Sequence, residues 1–570
     1  LSFKFKINDW LNIQARGNID KLYNDIDVKS YATTSPILTA NNGGYTLMNA
    51  VNTQLYGDLL LSGAKDLSDN IGINATIGTS ITDEKSNSNT FGTKTGGPGL
   101  NIPNVFVLSN IQPNYLSISQ NIVHRQVQSV FATASLNYKR FVYVDLSARN
   151  DWSSTFAFTP NVGKGYLYYA GGVNLILSEM THLPSFISFG KLRVSYAKVG
   201  NDVNAYSTFP PNYYVNFDNT QPTSYNGAAP YPGTFLQPED NRSFEAGLEF
   251  RFFNSKLGID ATYYQNNNYN QYLEVAAPNG SGYSTYFING GNIRNQGVEV
   301  SIYATPIKST TVTWNTSLNY ALNKNKVVSL SNDQLKVGRT YYTLTGLGNL
   351  LYASDIVVGG SWGDIYGRFF QRDAYGNIVV DENGAPLKGT DPNTQVGDQG
   401  QKYLGNPNPK YTLGWSNSFD IKHFTVSFLF DGRFGGKVMS VTQAILDKLG
   451  DTKATQDARD AGGVNIPAVY EDGTKFNGPL DAQLFYQTVG GQDGISEYYM
   501  YDATNVRLRE LALAYNFPVK SNWMRSLRLT LIGRNLFFVT KKAPFDPEIS
   551  MSTNNGLQGT EPCSTTSTRS

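Results

Sequence analysis

The feature that most constrains this chain is a strict two-residue alternation of apolar and polar side chains over segments of about ten residues. Val142, Val144, Leu146 and Ala148 alternate with Tyr143, Asp145, Ser147 and Arg149. Phe244, Ala246, Leu248, Phe250 and Phe252 alternate with Glu245, Gly247, Glu249 and Arg251. Val298, Val300 and Ile302 alternate with Glu299, Ser301 and Tyr303, and Phe424, Val426, Phe428 and Phe430 oppose Thr425, Ser427 and Asp431. Val312, Trp314 and Leu318 share a face opposite Thr313, Asn315, Ser317 and Asn319. A strand's side chains switch faces at every residue, so each segment has one apolar and one polar face. About fifteen such segments, plus a partial one at Phe3–Ile7, make the chain all-β.

Two architectures have one polar face per strand. A soluble sandwich turns it to water, and a transmembrane barrel keeps it inside and shows the apolar face to lipid. Connection lengths separate the two. Short connections fall at Asn8–Asp9, Asp66–Asp69, Lys139–Arg140, Asn254–Lys256, Pro306–Thr310, Ile421–His423 and Pro518–Arg525, with a somewhat longer member between Ile176 and Lys191. Long ones lie between them, at Asn18–Asn52, Lys85–Val127, Asn201–Asn241, Gln265–Gln296, Ala321–Lys410 and Gly432–Thr504, with Asn150–Lys164 a modest member. Outer-membrane barrels have short periplasmic turns and long extracellular loops, whereas a sandwich has no reason to keep this parity. The short turns also collect aromatics and lysines: Tyr138 and Phe141 flank Lys139, Phe252 and Phe253 precede Lys256, Phe424 follows Lys422, and Phe517 precedes Lys520. Aromatics at one level suit an interfacial girdle.

Composition removes other classes. Lys+Arg 46 against Asp+Glu 45 leaves no basic surface for nucleic acid. One cysteine, Cys563, excludes a disulfide scaffold. No stretch approaches the ~18 consecutive apolar residues of a membrane helix. Aromatics at 13% argue against disorder throughout.

Several segments go beyond pattern. They are Tyr501–Pro518 (YDATNVRLRELALAYNFP), Leu531–Glu548 (LIGRNLFFVTKKAPFDPE), Asn292–Ser301 (NIRNQGVEVS), Gly190–Asp202 (GKLRVSYAKVGND) and Asn406–Gly414 (NPNPKYTLG). Together they closely resemble the SusC/RagA family of TonB-linked outer-membrane transporters of Bacteroidetes, in the family's order and over nearly the whole chain. The resemblance implies a multi-pass barrel of about 22 strands in the bacterial outer membrane, around an N-terminal plug. Residues 1–570 then read as the C-terminal part of that barrel, about fifteen strands of it, with the plug and the closing strand outside the chain. It also implies nutrient uptake rather than enzymatic chemistry: TonB-driven import of oligosaccharides or oligopeptides with a SusD-like surface lipoprotein. A dimer of importer–lipoprotein pairs is implied as well, with lipid and lipopolysaccharide around the barrel and no nucleic-acid partner. A structural or docking scaffold within a larger outer-membrane complex is the alternative, and a membrane-embedded hydrolase a third reading.

The hydrolase reading has little to build on. The three histidines, His124, His182 and His423, are scattered and are expected in loops or turns. Gly359-Gly360-Ser361-Trp362-Gly363 matches G-x-S-x-G, but a nucleophile elbow needs a strand before it, a helix after it and an orienting histidine. Asp373, Asn377, Asp381 and Asn383 are oxygen donors of the kind Ca²⁺ takes, without EF-hand spacing. Two consecutive Gly-containing turns explain them equally well, and no cofactor is expected. The long loops are the better candidates. Tyr213, Tyr214, Phe217, Tyr225, Tyr231 and Phe235 fall in one, and Tyr342, Tyr352, Trp362, Tyr366 and Phe369 in the largest. Exposed rings beside Asn and Asp suit sugars or peptides, or the packing of a lid. Val441–Leu449 has helical spacing of apolar residues and is expected to pack. The apolar phase slips near Arg507 and Arg509, which predicts either a bulge at Arg509–Glu510 or a membrane band that begins at Leu511.

Overall fold

The structure is a computed structural model that describes the chain except residues 35–38, 210–227, 278–280, 282, 332–340, 348–350, 392–399, 520–522, 550–558 and 562–570. It divides into two compact units, the first made of residues 1–172, 198–221 and 228–238, the second of 173–197, 222–227 and 239–570.

In the first unit, β1 (Ser2–Lys6), β2 (Leu11–Ser30), β3 (Gly44–Ser68), β4 (Ile71–Thr93), β5 (Leu116–Tyr138) and β6 (Val142–Ser153) follow one another in space as in sequence. Each pairs antiparallel with the next. The strands β7 (Tyr166–Ile176) and β8 (Ile187–Val199), joined by a one-turn helix α1 (Leu177–Met180), carry residues of both units. A three-residue strand β9 (Ala228–Pro230) follows.

The wall of the second unit contains β10 (Asp240–Phe252), β11 (Leu257–Ala276), β12 (Thr285–Lys308) and β13 (Val312–Ser329). After β13 the chain leaves the wall for a folded cap. It forms β14 (Tyr341–Leu347), β15 (Tyr352–Val357), β16 (Asp364–Gly367), β17 (Ile378–Val380) and β18 (Lys402–Gly405) there. It returns as β19 (Tyr411–Ile421) and β20 (Phe424–Phe434), and leaves again through β21 (Lys437–Ser440). Helices α2 (Val441–Leu449) and α3 (Lys453–Asp460), strand β22 (Ala468–Tyr470), helix α4 (Ala482–Val489) and strand β23 (Met500–Asp502) complete that excursion. The wall ends with β24 (Asn505–Phe517) and β25 (Leu527–Lys541), and a two-residue strand β26 (Thr560–Glu561) pairs beside β21. From β10 to β25 every wall neighbour is antiparallel.

The short and long connections alternate as the sequence requires, but several loops are shorter than expected. Strands replace much of Asn18–Asn52, Lys85–Val127 and Gln265–Gln296: β2 and β3 pair out to Ser30 and Gly44, and β11 and β12 out to Ala276 and Thr285. A bilayer needs only about 9–11 residues per strand. Beyond it both faces meet water, so the alternation fades while the ladder continues. His124 is likewise on β5 rather than in a loop.

Alternation sorts the two faces. On β4, Ile71, Ile73, Ala75, Ile77, Thr79 and Ile81 share one side, which turns polar at Asp83 and Lys85. The ten steps from Ile71 to Ile81, at ~3.4 Å rise and ~40° tilt, span about 26 Å, the height of an apolar band. The opposite side carries paired charges. Arg16 meets Asp58 at 2.6 Å, Arg193 grips Asp260 through two bonds of 2.9 and 2.6 Å, and Arg251 meets Glu249 at 2.7 Å. The short turns carry the expected rings: Tyr138 meets Phe141 edge-on at 5.6 Å with the Lys139 ammonium over Tyr138, and Phe424 lies 4.6 Å from Tyr515.

The apolar side of β13, β19 and β20 holds an aromatic plate. Trp314 stacks on Phe419 at 5.5 Å, and Trp415 stacks on Phe430 at 6.0 Å. Two polar residues, Thr316 and Asn417, sit opposite each other on this same side. They have a purpose there. Trp314 Nε1 donates to Asn417 Oδ1 at 3.0 Å, and Trp415 Nε1 donates to Thr316 Oγ1 at 3.1 Å. Lipid cannot satisfy an indole N–H, so the neighbouring strand does. Thr316→Val should therefore destabilise the barrel in bilayers by about 1–2 kcal/mol, and Trp415→Phe in that background should restore most of it. Urea midpoints of the full-length protein in lipid vesicles read both, and an equal loss in single and double variants would sink the pairing.

Candidate functional site

The cap grows from the two longest connections. Their buried apolar residues form one shared core. Leu351, Tyr352, Ile365, Phe370 and Val380 from the first pack with Met439, Phe485, Val489, Ile495 and Tyr499 from the second. Backbone pairing joins them: β17 lies parallel to β22, with Ile378 opposite Ala468. Glu497 binds the pieces further, its carboxylate accepting the Phe370 N–H at 2.9 Å and meeting Lys402 at 3.2 Å. The expected helix α2 starts at Ser440, whose side chain accepts the Gln443 N–H, and stops at Gly450 with φ 81°. Val441 and Ala444 are buried in the core, whereas Leu449 stands exposed.

The cap is fastened to the wall at β13. That strand runs past the end of β19 and leaves a free edge. Gly359 and Gly360 fill it, exchanging backbone bonds with Val327 at 2.8 and 2.9 Å. One side chain then holds the loop: Asn325 Oδ1 accepts the Trp362 N–H at 2.6 Å and the Ser361 hydroxyl at 3.1 Å. Ser361 thus bonds an amide, and the formal G-x-S-x-G is a wall clip. The family-like segments gather at the second junction. Asn406 of NPNPK donates to Asp364 Oδ1 at 2.6 Å. In VRLRE, Arg509 is the bulged residue, because the ladder with β20 skips from Leu508 to Glu510. Arg507 lies over the Phe538 ring and pairs with Asp546, and Glu548 lies 3.4 Å from it. Arg509 reaches Asp431, Glu548 and, at 2.8 Å, Asn535. So RLRE, RNLFF and FDPE form one ionic clamp, a role the sequence alone left open.

The candidate aromatics do not form one group. Tyr213, Tyr214, Phe217 and Tyr225 lie outside the described residues. Tyr231 is half-buried in a turn, its carbonyl accepting from Thr234, and Phe235 is exposed. Tyr342 and Tyr352, expected to be exposed, are buried in the cap instead, because β14 and β15 carry them into its interior. Trp362 is half-buried on the clip, and its Nε1 points inward, buried and without a partner among the described residues. Tyr366 packs edge-on against Tyr403 at 5.8 Å. The Ca²⁺ candidates are turn residues. Asp373 accepts from the Tyr375 and Asn377 N–H groups and the Asn377 amide at 2.8–2.9 Å, and Asp381 accepts from Asn383 and Ala385. Among the described residues no three or more His, Cys, Asp or Glu side chains gather as a metal site.

One buried group escaped the sequence reading. Asp355 on β15 is 0% exposed and stands directly opposite Asp364 on β16. Neither oxygen finds a close donor among the described residues. Burial pushes its carboxyl up to about 6, against the pull of Thr343 and with help from the Asp364 charge. Burial raises Asp364 as well.

A wall of two-faced antiparallel strands, turned at one end by a girdle of rings, defines the class: an outer-membrane β-barrel. The chain belongs to the TonB dependent receptor-like, beta-barrel family, which matches residues 1–428. It is 25% identical over 455 residues to TonB-dependent receptor P3 of Formosa agariphila, covering 75% of this chain and 43% of that protein. It is 24% identical over 383 residues to TonB-dependent receptor SusC of Bacteroides thetaiotaomicron, covering 63% of this chain and 35% of that one. The chain therefore spans about half or less of the length of these relatives. Its fold matches the RagAB peptide transporter with a TM-score of 0.71 at 18% identity, over 94% of this chain and 57% of that one.

Two predictions come from the cap and the clamp. Asp355 has a folded pKa above its ordinary 3.8, so its stabilising contribution is complete below that value and disappears as pH climbs through about 6. The full swing is about 3 kcal/mol. Hydrogen exchange of the β15 amides, corrected for intrinsic rates, should show tighter protection at pH 5 than at pH 7.5. Asp355→Asn should flatten most of that difference; an unchanged profile would refute the assignment. At the clamp, Glu548→Gln should cost about 1–2 kcal/mol, since each arginine keeps a partner. Replacing Asp546 and Glu548 together by Ala strands the buried Arg507 and should cost about 3–5 kcal/mol in unfolding midpoints.

Proposed function

We propose that this chain supplies the wall and outer cap of an outer-membrane importer that takes up oligosaccharides or oligopeptides. TonB drives it through a plug, and a SusD-like surface lipoprotein works with it over the cap. The observation that carries this reading is the cap itself. Two long connections share one core and are clipped to the wall strand β13 at Asn325 and Val327. A wall that served only as a scaffold has no need of a folded outer domain presenting a half-buried indole. The work is binding and gated release, with no covalent step. Trp362 and Tyr366 are the cap residues proposed to meet cargo: both are half-buried, and a ring offers an apolar face to a sugar or peptide. The printed description of RagAB as a peptide transporter supports the oligopeptide arm, and the SusC likeness supports outer-membrane uptake generally.

The test is uptake of labelled oligosaccharides and oligopeptides by cells making the full-length protein, with and without TonB. Trp362→Ala should raise the half-saturating concentration about tenfold, roughly one ring contact, while surface level and cap protection stay unchanged. TonB-independent uptake of both cargo classes, or none, would overturn the importer reading.

A further inference from the structure

Strand β5 outlasts its neighbour β6. The pairing ends at Val127 opposite Ser153, so residues 116–126 have a free edge on that side. Loop side chains cap it. Ser154 Oγ accepts the Gln126 N–H at 2.9 Å, and the Tyr206 hydroxyl accepts the His124 N–H at 3.2 Å. The arrangement leaves a cavity of about 380 Å³, lined by His124, Gln126, Ser154, Thr155, Phe158 and Tyr206 among others. All of these belong to the first unit.

Its place on the wall decides what can reach it. His124 and Gln126 point to the same side of β5 as Val130 and Tyr138, the apolar side. Arg125, on the other side, faces Glu84 and Asp202. His124 and Gln126 therefore meet the cavity from the outside of the wall, while Thr155, at its base, bonds Asp202 on the inner side at 3.4 Å. On β4 the apolar band ends at Ile81, and the partners of Gln126 and His124 are Asp83 and Lys85. Two and four residues beyond the band, at the rise and tilt used above, are about 5 and 10 Å, the level of lipid headgroups.

The lining fits a sugar. Phe158 is exposed and braced edge-on by Phe209 at 4.7 Å, which presents a fixed apolar plate. Thr155 and Thr208 are buried, their hydroxyls bonded to Asp202 and to the Thr155 carbonyl, and Ser154 and Tyr206 each accept a backbone N–H with no acceptor for their own hydroxyl hydrogen among the described residues. Tyr206 is held at φ 66°, a costly conformation for a bulky residue. The charges nearby are largely spent on each other: His124 bonds Asp83 at 2.9 Å, and Lys85 lies 4.0 Å from Asp83. Such a lining asks for hydroxyls and a C–H face, with no excess cation calling for phosphate.

We propose that this cavity binds a sugar of an outer-leaflet glycolipid headgroup, so that the wall carries a lipid site separate from any cargo path. The inference rests on the sidedness of the wall and is independent of the importer reading. The test uses the full-length protein extracted from its own outer membrane in mild detergent. Glycolipid retained per barrel is counted by mass spectrometry, then rebinding of rough lipopolysaccharide is followed after delipidation. Phe158→Ala and the milder Tyr206→Phe should each lower retention at least about fivefold, with heat-modifiable mobility and cargo uptake unchanged. Equal retention by both variants overturns the site. Deacylated headgroup competing at the same concentration as intact glycolipid also overturns it, because that marks a site for free saccharide. Loss of uptake along with retention places the cavity on the import path and overturns the separation.

Discussion

Every backbone N–H and C=O that crosses a bilayer must be bonded within the protein, because lipid offers nothing in return. That constraint organises the chain. It demands continuous antiparallel ladders, and the ladders fix which side of each strand meets hydrocarbon. The same demand reaches side chains. Trp314 and Trp415 bring indole N–H groups to the lipid side, and the opposing pair Asn417 and Thr316 is placed there to accept them. Polar residues on a lipid face would read as errors in isolation. As acceptors for the plate they are consistent with it.

Beyond the membrane the constraint relaxes, and unequal strand lengths become the source of features. Where β13 passes β19, the free edge is filled by Gly359 and Gly360 and the cap is clipped on. Where β5 passes β6, Ser154 and Tyr206 fill the edge and a cavity remains. Both arise from one rule: an unpaired strand edge must find donors and acceptors. The cap core then draws its apolar residues from both long connections.

The family-like segments turn out to be fasteners. Arg507 and Arg509, Asp546 and Glu548, and Asn535 sit far apart in sequence yet share one clamp beside the bulge at Arg509. The clamp and the clip hold the outer mouth in shape.

The sequence by itself determined the class of fold, the parity of short and long connections, the interfacial rings, the helix at Val441–Leu449 and the phase slip at Arg509. All of these are local: they follow from period, turn chemistry and the cost of a charge in lipid. It could not show how far β2, β3, β11 and β12 extend, because alternation vanishes once both faces meet water. It misplaced Tyr342 and Tyr352, since whether a loop aromatic is exposed depends on a second loop packing over it. It missed Asp355 opposite Asp364, and Asn325 beneath Trp362, for the same reason. Those juxtapositions join residues across strand register and between separate loops, and only tertiary packing brings them within reach of one another.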